Sequence, residues 1–402
     1  MSDIEREIQA TGAAKVLVYM NDAVDTGAMS NAATKFVASP ASVAAALVRS
    51  RVETKGKPPA GKVYEHLGVM LGTVDAQNLA QLRNDPAVKN VVAAPQISLI
   101  KPVAARAAKL KTRLTWGIRK VRAHKLWDDG HKGQDQRVGH LDTGVDGRHP
   151  SLRRAIAEFV NVDMLGVVRK LGAGEVPADT DDHGTHTAAT IAGRAVGGRH
   201  VGVAPAAMLY SAAVIEGGDV IARILGGLNW AVGRGCKIVS ASLGLRGWYD
   251  EFLPLTRILR IRGVLPVFAV GNEGPGRSRS PGNYDEALSV GACDPGGLVA
   301  DYSSSQAFLT PQPRHVPDII APGSGVISAK PGGGYQAMDG TSMATPHVAG
   351  VAALLWSAEP AATVSDIEQA IFASATPLSS DPPERQGKGV PDAVKALAHL
   401  RA

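Results

Sequence analysis

Three side chains of complementary chemistry stand far apart in this chain, each inside a motif of small residues. Asp142 lies in Leu141-Asp142-Thr143-Gly144, His183 in His183-Gly184-Thr185-His186, and Ser342 in Gly340-Thr341-Ser342-Met343-Ala344-Thr345-Pro346-His347. A serine hydroxyl is a weak nucleophile at its free pKa and needs an adjacent base. An imidazole base in turn needs a carboxylate that fixes its tautomer and stabilises its charged form. An acid, an imidazole and a hydroxyl, the last at the mouth of an apolar helix, are the parts of an activated nucleophile, and the chemistry they suggest is acyl transfer.

Other readings of the same residues are weaker. Asp-Thr-Gly also serves aspartic proteases, but those need two aspartates and this chain would have to borrow the second from a partner. His183 and His186 are three apart with no glutamate between them, unlike the four-residue spacing of a zinc-binding His-Glu-x-x-His helix, so His186 and likewise His347 read as structural. The loop from Asp142 has Gly144 at its third position and Arg153 at its twelfth, which excludes an EF-hand. Gly332 to Gly334 lacks the Gly-Lys-Ser/Thr ending of a phosphate loop.

The elements that must position these groups follow from hydrophobic patterning. From about residue 115, short β-rich runs at Arg137 to Asp142, Met208 to Ile215, Lys237 to Leu243, Val264 to Val270 and Ala287 to Ala292 alternate with helical segments. Those helices are expected at Thr185 to Val196, Asp219 to Val232, Ser342 to Ser357 and Val364 to Ser374. Such alternation predicts an α/β fold, a mostly parallel sheet with helices on both faces. Ligands of such sheets sit at the carboxyl ends of strands, where Asp142 and Asn272 fall.

A smaller unit precedes it, from about residue 14 to 100. It reads as a strand at Lys15 to Met20, a helix at Val43 to Val52, two strands within Val63 to Val74 around Gly68, a helix opening at Asp75 with Leu79 and Leu82 on one face, and a strand at Val88 to Ala93. That order is the α+β split-βαβ, or ferredoxin-like, pattern. Lys101 to Arg113 contains no acid and reads as an exposed connector.

The three motifs together resemble those of the subtilisin-like serine proteases, the subtilases, and the resemblance spans about 115 to 395. It implies Asp142 as orienting acid, His183 as general base then acid, and Ser342 as the acylated nucleophile. A fourth match, Val270-Gly271-Asn272-Glu273-Gly274, implies Asn272 as the side-chain donor to the oxyanion. The backbone N–H of Ser342, at the positive end of its helix, is the expected second donor. Substrate is expected to lie as an added strand between Ser242-Leu243-Gly244 and Gly217-Gly218-Asp219. The primary specificity pocket is expected to have walls at Ala269 to Gly271 and a far side near Arg279 and Ser280, with Ser280-Pro281 matching a cis-proline position. Arg279 would favour an acidic residue before the scissile bond, whereas Glu273 at the rim argues the other way.

Two departures bear on metal binding. Ser151 stands where the family's tight calcium site has an aspartate, and Ala195-Val196 where it has an Asn-rich loop, so no metal site and no cofactor are expected. The amino-terminal unit resembles a subtilase propeptide, best over Tyr64 to Val74 and Asp75 to Val91, which implies a propeptide and connector at 1–110, a catalytic domain at 111–402 and processing between about Val103 and Arg113. The amino-terminal domain would then be an intramolecular inhibitor, the alternative being a permanent accessory domain. The expected function is a serine endopeptidase made as a self-inhibited zymogen, with a protein or peptide as substrate. A peptide ligase using the same acyl-enzyme is the alternative.

Bulk properties agree with a catalytic monomer. The 402 residues are 45% apolar, enough for two packed domains, and 43 basic residues are offset by 37 acidic ones for a net charge of +6. No basic block points to nucleic acid and no apolar run of about 20 residues points to a membrane. Cys236 and Cys293 are the only thiols and read as core residues without a disulfide role. Met1 to Ser30 carries no apolar run of leader length, so a cytoplasmic location is expected, with export by a non-Sec route as the alternative.

Overall fold

A computed structural model describes residues 1–21, 26–37, 61–215, 220–309 and 313–402. The chain divides into two compact units, one gathering Met1–Gln96, Val162–Val168 and Gly217–Trp230, the other Ile97–Asn161, Arg169–Glu216 and Ala231–Ala402.

The second unit is built on an eight-stranded sheet. From edge to edge its strands are Ile319–Pro322, Leu288–Cys293, Leu265–Ala269, Ile238–Ala241, Arg137–Asp142, Met208–Ala213, Ile156–Val162 and Val168–Lys170. The pairings among the first seven are all parallel. Runs such as Leu265-Pro266-Val267-Phe268-Ala269 are buried at every position because helices cover both faces, and a strand covered twice has no use for alternation. The expected α/β sheet is thus present. The next-to-edge strand Ile156–Val162 escaped the sequence reading because Glu158 and Asn161 break its apolar run.

The helix Thr341–Ala358 is buried from Thr341 to Trp356 and runs through the core. Pro346 inside its first turns has no N–H to give the carbonyl of Ser342. The Ser242 hydroxyl donates to that carbonyl instead, at 3.3 Å. His183–Ala192 forms a second, fully buried helix. Among the described residues, no helix is long and apolar enough to cross a membrane.

The first unit contains a four-stranded antiparallel sheet in the order Gly61–Tyr64, Val69–Val74, Ala14–Met20, Val88–Ala93. That is the strand order of the split-βαβ pattern, with the first strand between the third and the fourth. Asp75 caps the helix Ala76–Arg83 by accepting from the Asn78 N–H, and that helix turns Leu79 and Leu82 into a core with Val16, Val18 and Met70. The helix expected at Val43 to Val52 lies outside the described residues, and a helix at Thr26–Ala33 is found in its part of the order. Helix Asp3–Thr11, not anticipated, opens on a capping box between Ser2 and Glu5.

The stretch read as an exposed connector, Lys101 to Arg113, contains a strand: Ala104–Ala108 pairs antiparallel with Tyr335–Asp339, and just before the connector Ser98–Leu99 pairs antiparallel with Leu243–Gly244. Its alanine and arginine side chains are exposed, as expected, but its backbone is not free.

Candidate active site

Asp142 ends its strand, and the tight turn that follows lets a helix approach closely. Gly144 has φ +124°, and a Cβ there would lie 2.3 Å from the Ala178 carbonyl oxygen. A Cβ on Gly184, the second residue of the next helix, would lie 2.1 Å from the Gly144 carbonyl oxygen. Side-chain-free backbone on both sides therefore brings His183 against Asp142, and His183 Nδ1 sits 2.6 Å from Asp142 Oδ1. The carboxylate also accepts from the Thr143 N–H at 2.8 Å and, on Oδ2, from the Thr187 hydroxyl at 3.0 Å.

Both groups are fully buried and shift in opposite directions. Burial alone would lower His183, but the charge and hydrogen bond of Asp142 outweigh it and hold the imidazole above its ordinary pKa. Burial alone would raise Asp142, but His183 holds its carboxyl below the usual range. Asp179, which the sequence reading missed, braces the same corner by accepting from the Thr143 and Thr185 hydroxyls at 2.7 and 2.6 Å.

Ser342, second residue of the core helix, does not bond His183. Its hydroxyl donates to the carbonyl of Ile100 at 2.7 Å, while His183 Nε2 is buried with no hydrogen-bond partner among the described residues. The side-chain amide of Asn272 donates to the next carbonyl, that of Lys101, at 2.9 Å, and Asn272 Oδ1 is pinned by the Thr341 N–H at 2.9 Å. The chain enters this site as a strand, with Ser98 opposite Gly244, Leu99 opposite Leu243 and the Ile100 N–H donating to the Ser242 carbonyl at 3.0 Å. It leaves with the Val103 N–H on the Asp339 carbonyl at 2.7 Å and with Arg106 paired to Asp339 at 2.9 Å. The peptide bond facing Ser342 is therefore Ile100–Lys101, which lies before the window of Val103 to Arg113.

Ser242, Leu243 and Gly244 thus pair with the chain's own Ser98 to Ile100, whereas Gly217 and Gly218, the expected opposite wall, lie outside the described residues. Gly271 and Arg279 come together: a Cβ on Gly271 would lie 3.2 Å from Arg279 Cγ, and the Arg279 N–H donates to the Val270 carbonyl at 2.9 Å. Ala269 ends the adjoining strand, and Ser280-Pro281 is cis. The opposing charges noted in the sequence meet in one ion pair, Arg279 Nε to Glu273 Oε1 at 2.9 Å with Nη2 on the same oxygen, and Arg246 adds a second contact to Glu273 at 3.2 Å. Arg279 Nη1 reaches the Gly244 carbonyl at 3.3 Å.

The residues present do not fit the family's tight calcium site. The Ser151 hydroxyl is engaged by His149 Nδ1 at 2.7 Å, and Arg194 directs its guanidinium onto the carbonyls of Arg154 at 3.2 Å, Ala192 at 3.4 Å and Pro205. His186 and His347 turn to carbonyls as well, those of Val326 at 2.9 Å and Met343 at 2.8 Å.

Comparison with known proteins supplies the family. A model described as the Subtilase family matches residues 133–389. The chain is 30% identical to subtilisin E of Bacillus subtilis (strain 168) over 331 residues, covering 79% of this chain and 78% of that one. It is 33% identical to a subtilisin of Bacillus pumilus over 277 residues, 66% of this chain and 92% of that one, and 31% identical to a thermostable alkaline protease of Halalkalibacterium halodurans over 335 residues, 83% and 84%. The fold and the matches define a serine endopeptidase, a hydrolase of peptide bonds. The chain belongs to the subtilase family.

One expectation is corrected here. The cytoplasmic location was drawn from the missing apolar run at the start of the sequence, and the related proteins are secreted subtilisins, which overturns it. A short absent pattern at one end of a sequence carries no weight against relatives that match over most of the chain. The ligase alternative likewise gains no support from relatives named as subtilisins and proteases.

Proposed function

We propose that this endopeptidase works through an acyl-enzyme on Ser342, with His183 taking the hydroxyl proton and returning it to the leaving amine. Asp142 holds the imidazole by its Nδ1–H and stabilises the imidazolium as it forms. The Asn272 amide and the Ser342 N–H receive the oxyanion, and Ser242-Leu243-Gly244 hold substrate by backbone pairing, so affinity there does not depend on side chains. The observation that carries the reading is the 2.6 Å bond between His183 and Asp142 beside a serine whose hydroxyl already touches a peptide carbonyl.

The same contacts support a self-inhibited precursor. Attack requires one carbonyl to meet both the serine and the oxyanion donor. Here the two are split over consecutive carbonyls, Ile100 on Ser342 and Lys101 on Asn272, so the segment fills the cleft out of reactive register. The amino-terminal domain is then an intramolecular inhibitor, and Ile100–Lys101 is the bond cut when the register relaxes. The next bond, Lys101–Pro102, is a tertiary amide whose leaving group would be the ring-constrained secondary amine of Pro102.

Intact-mass analysis of wild type and Ser342→Ala tests this. The wild type is expected to yield a fragment beginning at Lys101 while the variant stays full length. Equal cleavage of both, or no cleavage of either by an active enzyme, contradicts it.

A further inference from the structure

His140 stands two residues before Asp142 on the strand Arg137–Asp142, so both side chains lie on one face of the sheet. The strand is paired on both sides with parallel neighbours, a setting that favours apolar side chains, yet this imidazole is only 1% exposed. A polar group so buried is costly unless bonded, and both of its nitrogens are bonded. Nδ1 lies 2.9 Å from the hydroxyl of Ser211 on the neighbouring strand, and Nε2 lies 2.9 Å from the hydroxyl of Thr187 on the helix that carries His183.

The direction of these bonds follows from charge. Nε2 lies 3.7 Å from Asp142 Oδ2, and an anion at that distance favours the tautomer with its proton on Nε2. His140 then donates to the Thr187 oxygen and accepts from Ser211. Thr187, receiving a proton from one side, is left to donate elsewhere. It has three acceptors in reach: Asp142 Oδ2 at 3.0 Å, the Gly184 carbonyl at 3.1 Å and the His183 carbonyl at 3.3 Å.

We propose that His140 is a positioning residue for peptide hydrolysis: through Thr187 it holds the second carboxylate oxygen of Asp142, on the side away from His183. The inference rests on the triad proposed above. Its consequence is that Asp142 is gripped by two imidazoles, one directly and one through a hydroxyl. Without His140 the Thr187 hydroxyl swings to the backbone carbonyls, Oδ2 loses its donor, and the more basic carboxylate binds the His183 imidazolium more tightly. The other charged or titratable groups around His183 are Asp179 and Asp181 from the preceding loop and His186 on its own helix.

The test uses the full chain, left to reach its own processed state and assayed on a chromogenic peptide anilide. His140→Leu is expected to lower kcat about tenfold with KM within about twofold, the worth of one hydrogen bond to a charged group. Its acid limb of kcat/KM is expected to move to higher pH. His140→Gln, which keeps a donor at the Nε2 position, is expected to restore both. If His140→Leu does not fold, Thr187→Val must show the same shift. The low-field Nδ1 proton resonance of His183, followed with pH in Ser342→Ala and in His140→Leu/Ser342→Ala, reads the same change without turnover. An unshifted resonance and unchanged acid limb in the variants overturn the inference while leaving the triad in place, whereas an inactive wild type removes the triad reading itself.

Discussion

Ser342 and Ile100 are joined by a hydrogen bond of 2.7 Å from the hydroxyl to the carbonyl, and this bond takes the place of one between Ser342 and His183. The proposed nucleophile is thereby occupied by the chain's own backbone, and among the described residues the Nε2 of His183 has no hydrogen-bond partner. The following expectations derive from this arrangement and its surroundings.

Asn272 has its carbonyl end fixed by Thr341 and its amide end aimed into the site, onto the Lys101 carbonyl. Asn272→Ala is expected to reduce kcat by about 10²- to 10³-fold with little change in KM, since the donor acts on charge that develops only in the transition state. Steady-state kinetics on a peptide anilide decide this, and an equal loss confined to KM would place Asn272 in ground-state binding.

Arg279 is expected to add no acidic preference while Glu273 is bonded to it. Glu273→Gln leaves the guanidinium charge in place and removes its partner. The ratio of cleavage after Glu to cleavage after Gln is expected to rise about tenfold, the effect of roughly 1.4 kcal/mol. A peptide-library profile reads this ratio, and an unchanged profile would move Arg279 out of the specificity pocket.

Three buried histidines set the acid response of stability. Burial pushes His140 and His347 down to about 4 and His186 to about 3, so they stay neutral in the folded chain while their unfolded counterparts charge below about 6.5. Each therefore stabilises the fold above the unfolded value and loses that contribution as pH falls from about 6.5 toward its folded value. Asp318, raised to about 6 by burial, acts in the opposite sense between about 6 and 4 and offsets one of the three. The net expectation is a fall of at most roughly 3 kcal/mol per pH unit in that window. Urea unfolding of Ser342→Ala between pH 7 and 4 measures it, and a flat response contradicts it.

Arg194 supplies positive charge to backbone carbonyls beside Ser151. Chelator is therefore expected to leave the melting temperature within about a degree, while Arg194→Met lowers it by several degrees, the loss of about 1–3 kcal/mol from carbonyls left unpaired. A chelator shift of several degrees would contradict this.

The parts of the site that the sequence exposes are those carried by local motifs. Asp142 and His183 sit beside Gly144 and Gly184, which close backbone approach requires, Asn272 follows Gly271 at φ +121°, and the strands that position them are largely apolar runs. Ala104–Ala108 was not legible as a strand because alanine carries no strand signal and its pairing with Tyr335–Asp339 is made by backbone, with the Arg106–Asp339 ion pair added to it. His140, Thr187 and Ser211 were not legible either. They come from two strands and a helix, and only the parallel register that sets Ser211 beside His140 makes them one network.

Ser342 as nucleophile and His183 as its base are open to chemical labelling. Treating the processed wild type with a fluorophosphonate, followed by peptide mapping, is expected to give one adduct, on Ser342, lost in Ser342→Ala and slowed by several orders of magnitude in His183→Ala. An adduct on another residue, or undiminished labelling without His183, would contradict it.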